Sequence, residues 1–354
     1  MKNLILNPGS TSTKLAVFDD TNQIFLKTVR HLQEEIEKFP AIMDQRQYRS
    51  QIVIDVLNEQ GIKLSEISGV IAIGGLLYPG VGGVYEVNET MLQDFMAAAY
   101  GEHASNLGGV MASEIAARLN VKAYIADPVT TDEMQEVARM SGLPDIVRSG
   151  KCHALNQKAV AAMAAKELGI PRDSVNLIVT HLGGGISVAA HRGMMMVDVN
   201  DARGEGPFCL DRTGGVHTLD VVKLSLSGKY SKEEMLKKIN GGGGVVAYLN
   251  TRDFLDVLKM RKEGDPKAIA VFEAMAYQIA KEIGAMAAVL RGKVDALVFT
   301  GGMSQSEDLI AEIKGYAGHF AKTLVYPGEF ELEALAAYIA QVQSGEIKPH
   351  VYAH

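Results

Sequence analysis

The residues of this 354-residue chain that could do chemistry gather in glycine-rich stretches that follow apolar runs. The first is Asn7-Pro8-Gly9-Ser10-Thr11-Ser12-Thr13-Lys14, set between Leu4-Ile5-Leu6 and Leu15-Ala16-Val17. Small residues, hydroxyls and one lysine suit an anion, because phosphate can approach backbone amides where no side chain stands in the way. A Walker-type loop is excluded. Thr13 occupies the place of the second glycine in G-x-x-x-x-G-K-[ST], and Lys14 opens a strand pattern rather than a helix. The second stretch is His181-Leu182-Gly183-Gly184-Gly185, and the third is Gly301-Gly302. Neither the run 183–185 nor the run 241–244 supplies the last glycine of G-x-G-x-x-G, so a dinucleotide fingerprint is excluded as well. Each stretch alone reads as an ordinary turn. Three of them after strands, repeated in two halves, favour a nucleotide site.

Residues 201–215, DARGEGPFCLDRTGG, add two arginines among acids and glycines. A solvated loop is the plain reading, but an arginine between glycines can bind a phosphoryl group bidentately. Arg212, just before Thr213-Gly214-Gly215, is the better placed of the two. His153 and His181 each flank a turn, and either alone reads as a buried, satisfied histidine. No HExxH or Cys/His spacing indicates zinc. Cys152 beside His153 is no sign of a thiol nucleophile, since the pair must meet in space.

The elements that position these residues follow from periodicity. Residues 3–30 read as strand, turn, strand and a third strand over 23–29, and residues 175–199 repeat that arrangement. Strands are expected at 70–75, 121–129 and 294–301, with Asp127-Pro128 at the end of the second. Helices are expected over 46–60, 88–100, 217–228, 231–239 and 329–343. The clearest helix starts at Asp265-Pro266, an N-cap followed by proline at the first helical position. Its apolar residues Ile269, Phe272, Ala276, Ile279, Ile283, Met286 and Leu290 form one face, and Gly292 closes it. Strands that deliver turns at their C-terminal ends place ligands at one sheet edge, and two facing halves make an interdomain cleft. The fold class is therefore α/β with two domains of duplicated architecture.

Hydrophobic content of 47% and charged content of 22% are globular values. A net charge of −7 without any basic block argues against nucleic acid. Two cysteines exclude a disulfide framework and fit a reducing, cytoplasmic compartment. The most apolar region, 70–85, is broken by glycines and Pro79, so no membrane span and no signal peptide is expected.

The motifs NPGSTSTK (7–14), GEHASNLG (101–108), ADPVTTDEM (126–134), CHALNQKAVA (152–161), HLGGGISVAAH (181–191), GEGPFCLDRTGG (204–215), TGGMS (300–304) and YPGEFELEALA (326–336) run in order from end to end. Together they resemble the acetokinase family, more closely its butyrate kinases than its acetate kinases. That family lies within the superfamily of sugar kinases, actin and heat-shock ATPases. The resemblance implies two RNase-H-like, actin-like ATPase domains, the first over 1–150 plus about 330–354 and the second, the nucleotide-binding domain, over 151–329. It also implies a homodimer, and in-line transfer from ATP with Mg²⁺ to a short-chain carboxylate. By position it implies that Asn7, Ser10, Ser12 and Lys14 form one phosphate hairpin and that His181 with Gly183, Gly184 and Gly185 forms another. His153 and Arg212 fall at the transferred phosphoryl, and Asp127, with Asn7, near the metal. Asp253, Gly301 and Gly302 border the nucleoside. Two positions depart from the family: Ile73 and Leu255 stand where arginines are expected. A nucleotide-binding paralogue with weak or no transfer is the alternative these departures leave open, and a sugar-kinase relative is a third.

Overall fold

The computed structural model describes all 354 residues, which divide into two compact units: Met1–Asp132 with Phe330–His354, and Glu133–Glu329. The first unit is built on a seven-stranded sheet. β1 (Lys2–Pro8), β2 (Ser12–Asp19) and β3 (Asn22–Arg30) form an antiparallel meander. β4 (Ile67–Ile73) pairs parallel with β1, and β6 (Ala123–Ala126) pairs parallel with β4. β5 (Val84–Glu86) and the two-residue strand His350–Val351 complete the edge.

The period of two along β1 sorts its residues between faces. Leu4 and Leu6, opposite Val17 and Leu15, are fully buried against Val53 and Leu57 of helix Arg46–Glu59 and Leu107 and Met111 of helix Asn106–Leu119. Asn3 and Asn7 point to the other face, which helix Glu331–Ser344 covers. Asn3 and Gln343 exchange side-chain hydrogen bonds of 2.9 and 2.8 Å there. The approach is close enough that a Cβ on Gly69 would lie 2.9 Å from Ile339 Cδ1.

The second unit repeats the plan in five strands. β7 (Asn176–Leu182), β8 (Ile186–Arg192) and β9 (Met195–Val199) form the meander. β10 (Ala296–Gly301) runs parallel to β7, and β11 (Lys322–Pro327) parallel to β10. The order β3-β2-β1-β4-β6 in the first sheet matches β9-β8-β7-β10-β11 in the second, so the duplication read from residues 3–30 and 175–199 is a duplication of topology. Helix Pro266–Val289 packs on this sheet. Asp265 caps it by accepting from the amides of Lys267 (2.8 Å) and Ala268 (3.1 Å). Phe272, Met275, Ala276, Ile279 and Ile283 are fully buried, so truncating Ile279 to alanine costs about 2–5 kcal/mol. Ile269 is only half-buried, because it sits on the flank of the apolar stripe.

The unit boundary lies at Asp132, eighteen residues before the position 150 expected from sequence. Residues 133–150 are tied into the second unit by the bond from Gln135 N to Val197 O (3.0 Å), the Lys158–Glu133 ion pair and the Arg148–Asp198 contact of 3.3 Å.

Candidate active site

In the first unit, β1 and β2 are joined by a tight turn, with Gly9 N donating to Ser12 O at 2.8 Å. Asn7 lies opposite Lys14 in the register. Asn7, Lys14 and Ser12 therefore share one face, while Thr13 points to the other and is fully buried. Ser10 and Thr11 are exposed at the tip. Asn7 Nδ2 donates to Glu331 Oε2 at 2.6 Å. The strand after Lys14 is real, so the stretch is a hairpin and not a strand-to-helix phosphate loop.

Asp127 follows β6 on the same sheet edge as Asn7, the penultimate residue of β1. It is 2% exposed, and both carboxylate oxygens accept hydrogen bonds: Oδ1 from Gly83 N (2.7 Å), Oδ2 from the Tyr338 hydroxyl (2.7 Å). Its φ of 38° lies in the left-handed region, which costs a non-glycine residue of order 1 kcal/mol and is held here by those bonds. Tyr338 is two helical turns beyond Glu331, so one helix holds both Asn7 and Asp127.

In the second unit, three of the expected side chains converge over the glycine turn between β7 and β8. The rings of His153 and His181 stack at 3.8 Å with an angle of 9°. A Cβ on Gly183 would stand 2.8 Å from His181 Nε2. One on Gly185 would stand 2.5 Å from Arg212 Nη1 and 3.4 Å from His153 Cε1. Glycine at 183 and 185 thus leaves the space that these side chains occupy over the turn.

The hydrogen-bond network assigns the tautomer of His181. Asn156 Nδ2 donates to His181 Nδ1 (2.9 Å) and to Thr300 Oγ1 (3.1 Å), so His181 carries its proton on Nε2. His153 Nδ1 lies 3.0 Å from Ser187 Oγ, which also accepts from Gln157 Nε2 (3.0 Å). Burial pushes His181 down to about 4. Burial first, then His181 and the Arg212 guanidinium, pushes His153 well below the ordinary histidine range. Both are neutral at neutral pH.

Arg212 is held at two of its nitrogens. Nη1 donates to Ala202 O at 2.8 Å, Asp211 lies 3.7 Å from Nε, and Nε is buried without a hydrogen-bond partner. Gly244 fits beneath this segment because it has no side chain: a Cβ there would lie 2.1 Å from Cys209 O and 2.6 Å from Arg212 O.

Beside the glycine turn lies a cavity of about 970 Å³, lined among others by Gly183, Gly184, Asp253, Leu255 and Gly302. Asp253 caps helix Phe254–Lys262 by accepting from Leu255 N at 2.9 Å. Leu255 is 70% exposed, and Arg252, which also lines the cavity, donates to Gly241 O. Gly301 takes φ 87° because a Cβ would lie 2.4 Å from Leu182 O.

No three His, Cys, Asp or Glu side chains cluster as a metal cage. Mg²⁺ requires none, since it keeps several waters and takes one or two carboxylates together with substrate phosphates. The carboxylates of Asp127 and Glu331 and the amide of Asn7 fit that donor set. Glu331 escaped the sequence reading, although Glu329, Glu331 and Glu333 follow Pro327-Gly328 and were a visible signal. Arg49, discussed below, gave no signal, because nothing in a helical pattern marks which arginine turns inward.

Comparison with known proteins agrees with this geometry. The model of the acetokinase family matches residues 143–315. Butyrate kinase 1 of Clostridium acetobutylicum is 49% identical over 350 residues, covering 99% of each chain. Among solved structures, the acetate kinase of Porphyromonas gingivalis superposes with a TM-score of 0.79 at 18% identity, over 96% of this chain and 99% of that one. A propionate kinase of Francisella tularensis gives 0.75 at 17%, over 95% and 98%. The fold is that of the actin-like ATPases, and the chain belongs to the acetokinase family of carboxylate phosphotransferases. Within that family it stands with the butyrate kinases.

Proposed function

We propose that the chain phosphorylates butanoate, or a related short or branched fatty acid, by direct in-line transfer from ATP with Mg²⁺. The observation that carries this reading is the convergence of His153, His181 and Arg212 over the turn 183–185. A carboxylate with a pKa near that of Glu, about 4.3, is already ionised at neutral pH, so no general base is needed. The barrier is the approach of two anions. Positioning and charge neutralisation lower it. Two neutral imidazoles and a guanidinium supply that, without adding a negative charge to the site.

In this reading Asn7, Ser10, Ser12 and Lys14 bind phosphate. His153, His181 and Arg212 stabilise the transferred group, and Gly183, Gly184, Gly185, Asp253, Gly301 and Gly302 accommodate the nucleotide. Mg²⁺ neutralises phosphate charge, with Asp127, Asn7 and Glu331 holding its waters. Two buried cysteines, both free, support a reducing cytoplasmic compartment. A homodimer is the expected assembly of the family.

The test is trapping of acyl phosphate as hydroxamate, with MgATP and a panel of C2 to C6 acids. Butanoate or a branched C4–C5 acid should give the highest kcat/KM. Absence of hydroxamate with every acid, despite measurable ATP binding, would instead identify a nucleotide-binding paralogue.

A further inference from the structure

Behind the β1–β2 turn lies a side chain that none of the roles above uses. Arg49, on helix Arg46–Glu59, is 1% exposed and the largest fully buried side chain of the chain. Its guanidinium is spent almost entirely on the turn. Nη1 donates to Gly9 O (2.7 Å), Ser12 O (3.1 Å) and Thr13 Oγ1 (3.2 Å), and Nη2 donates to Ser10 O (3.0 Å). Nε and Nη2 also donate to Gln45 Oε1 at 3.0 and 2.8 Å, which fixes the plane of the group. Thr13 Oγ1 is held from the other side by His31 Nε2 at 2.8 Å.

Two physical consequences follow. First, the carbonyls of Gly9, Ser10 and Ser12 are drawn inward to one cation, which fixes the peptide planes of the turn and hence the directions of its amides and of the Ser10 and Ser12 side chains. Second, every acceptor of Arg49 is a neutral oxygen, with no carboxylate in ion-pair contact. A buried guanidinium is normally paired. Here it meets only neutral oxygens of the turn and of Gln45.

We propose that Arg49 is a positioning residue for phosphate binding: it shapes the 9–13 turn and supplies, from behind, an unpaired positive charge that the nucleotide phosphates complete. This rests on the reading of residues 7–14 as the phosphate hairpin. Lysine is a poor replacement, because an ammonium has three donors where the guanidinium uses a planar fork of five.

The experiment measures steady-state kinetics of full-length Arg49→Met and Arg49→Lys, and calorimetric binding of ATP and of adenosine. Both variants should raise the KM for ATP at least tenfold and weaken ATP binding to match. Arg49→Lys should be the milder. Adenosine affinity and the KM for the carboxylic acid should stay within twofold of wild type. A residue that merely supported the fold would lower the melting temperature and leave the ratio of ATP to adenosine affinity unchanged, and that result overturns the proposal. If Arg49→Met does not fold, the ratio in Arg49→Lys decides alone. Ser12→Ala and Lys14→Ala run in parallel. If they leave ATP affinity unchanged, the hairpin reading fails and takes the Arg49 role with it. If they weaken it while both Arg49 variants do not, only the Arg49 role fails.

Discussion

Asn7 Nδ2 and Glu331 Oε2 meet at 2.6 Å although 324 residues separate them. The bond joins the end of the first strand to the first turn of a helix near the C-terminus. It fixes which way the Asn7 amide faces: with its nitrogen turned to Glu331, its oxygen is free to turn toward a cation or its waters. Glu331→Gln should raise the Mg²⁺ concentration for half-maximal rate 10- to 100-fold, the usual size of an outer-shell effect. Titration of activity against Mg²⁺ at saturating ATP and acid checks this. An unchanged Mg²⁺ curve with lowered stability would assign the pair to folding alone.

Arg212 touches the turn at Gly185 and is anchored by Nη1 to Ala202 O. Arg212→Lys should lower kcat by about 10²–10³-fold, in the range for removing one oriented transition-state donor. The KM for ATP should change much less. Equal losses in kcat and in ATP affinity would mean that Arg212 holds the ground state instead.

Two glycines should separate function from folding. In Gly185→Ala the new methyl meets the end of the Arg212 side chain, which can swing away. Stability should fall by less than about 1 kcal/mol while kcat drops with the displaced guanidinium. In Gly244→Ala the methyl meets backbone carbonyls at φ 63°, and nothing can give. That variant should lose at least about 2 kcal/mol of stability. Urea unfolding alongside kinetics distinguishes the two.

Buried imidazoles set an acid limit on stability. Burial lowers His181 and His31 to about 4, and lowers His191 to about 3 with a further contribution from Lys158. Between those values and about 6.5 the unfolded chain binds more protons than the folded one, so stability rises with pH across that window. Going from pH 7 to pH 5, each such histidine should remove about 2 kcal/mol. His191 lies away from the glycine turn, paired with Gln157 at 3.2 Å. His191→Gln should therefore flatten the dependence of urea-unfolding free energy on pH in that range. A slope equal to wild type would show that His191 is no acid-sensitive element.

The sequence was most readable where local chemistry and tertiary packing agree. Asp265-Pro266 announced a helix start, and the alternating three-and-four spacing from Phe272 to Met286 announced its buried face. The repeated strand-turn-strand pattern carried the duplication. Helices Asn106–Leu119 and Ala154–Leu168 were not anticipated, because buried polar residues such as Asn106, Asn156, Gln157 and Lys158 interrupt their apolar faces. The site followed the same division. His181 and Gly183 to Gly185 are contiguous and could be picked out, whereas Glu331 and Arg49 act only through long-range contact. Their pairing with Asn7 and with the turn is a property of topology, which no window of sequence contains.

The first sheet needs residues 330–354, while every strand of the second lies within 176–327. During synthesis, Glu133–Glu329 has all its strands and its long helix before Glu331–Ser344 exists, so it can fold as an uninterrupted stretch. The first unit cannot: from its earliest appearance until helix Glu331–Ser344 arrives, β1 exposes the face carrying Asn3 and Asn7. The part of the chain made first is thus the part finished last, and a fragment truncated before residue 330 would keep its β1–β2 hairpin sequence without the helix that orients Asn7.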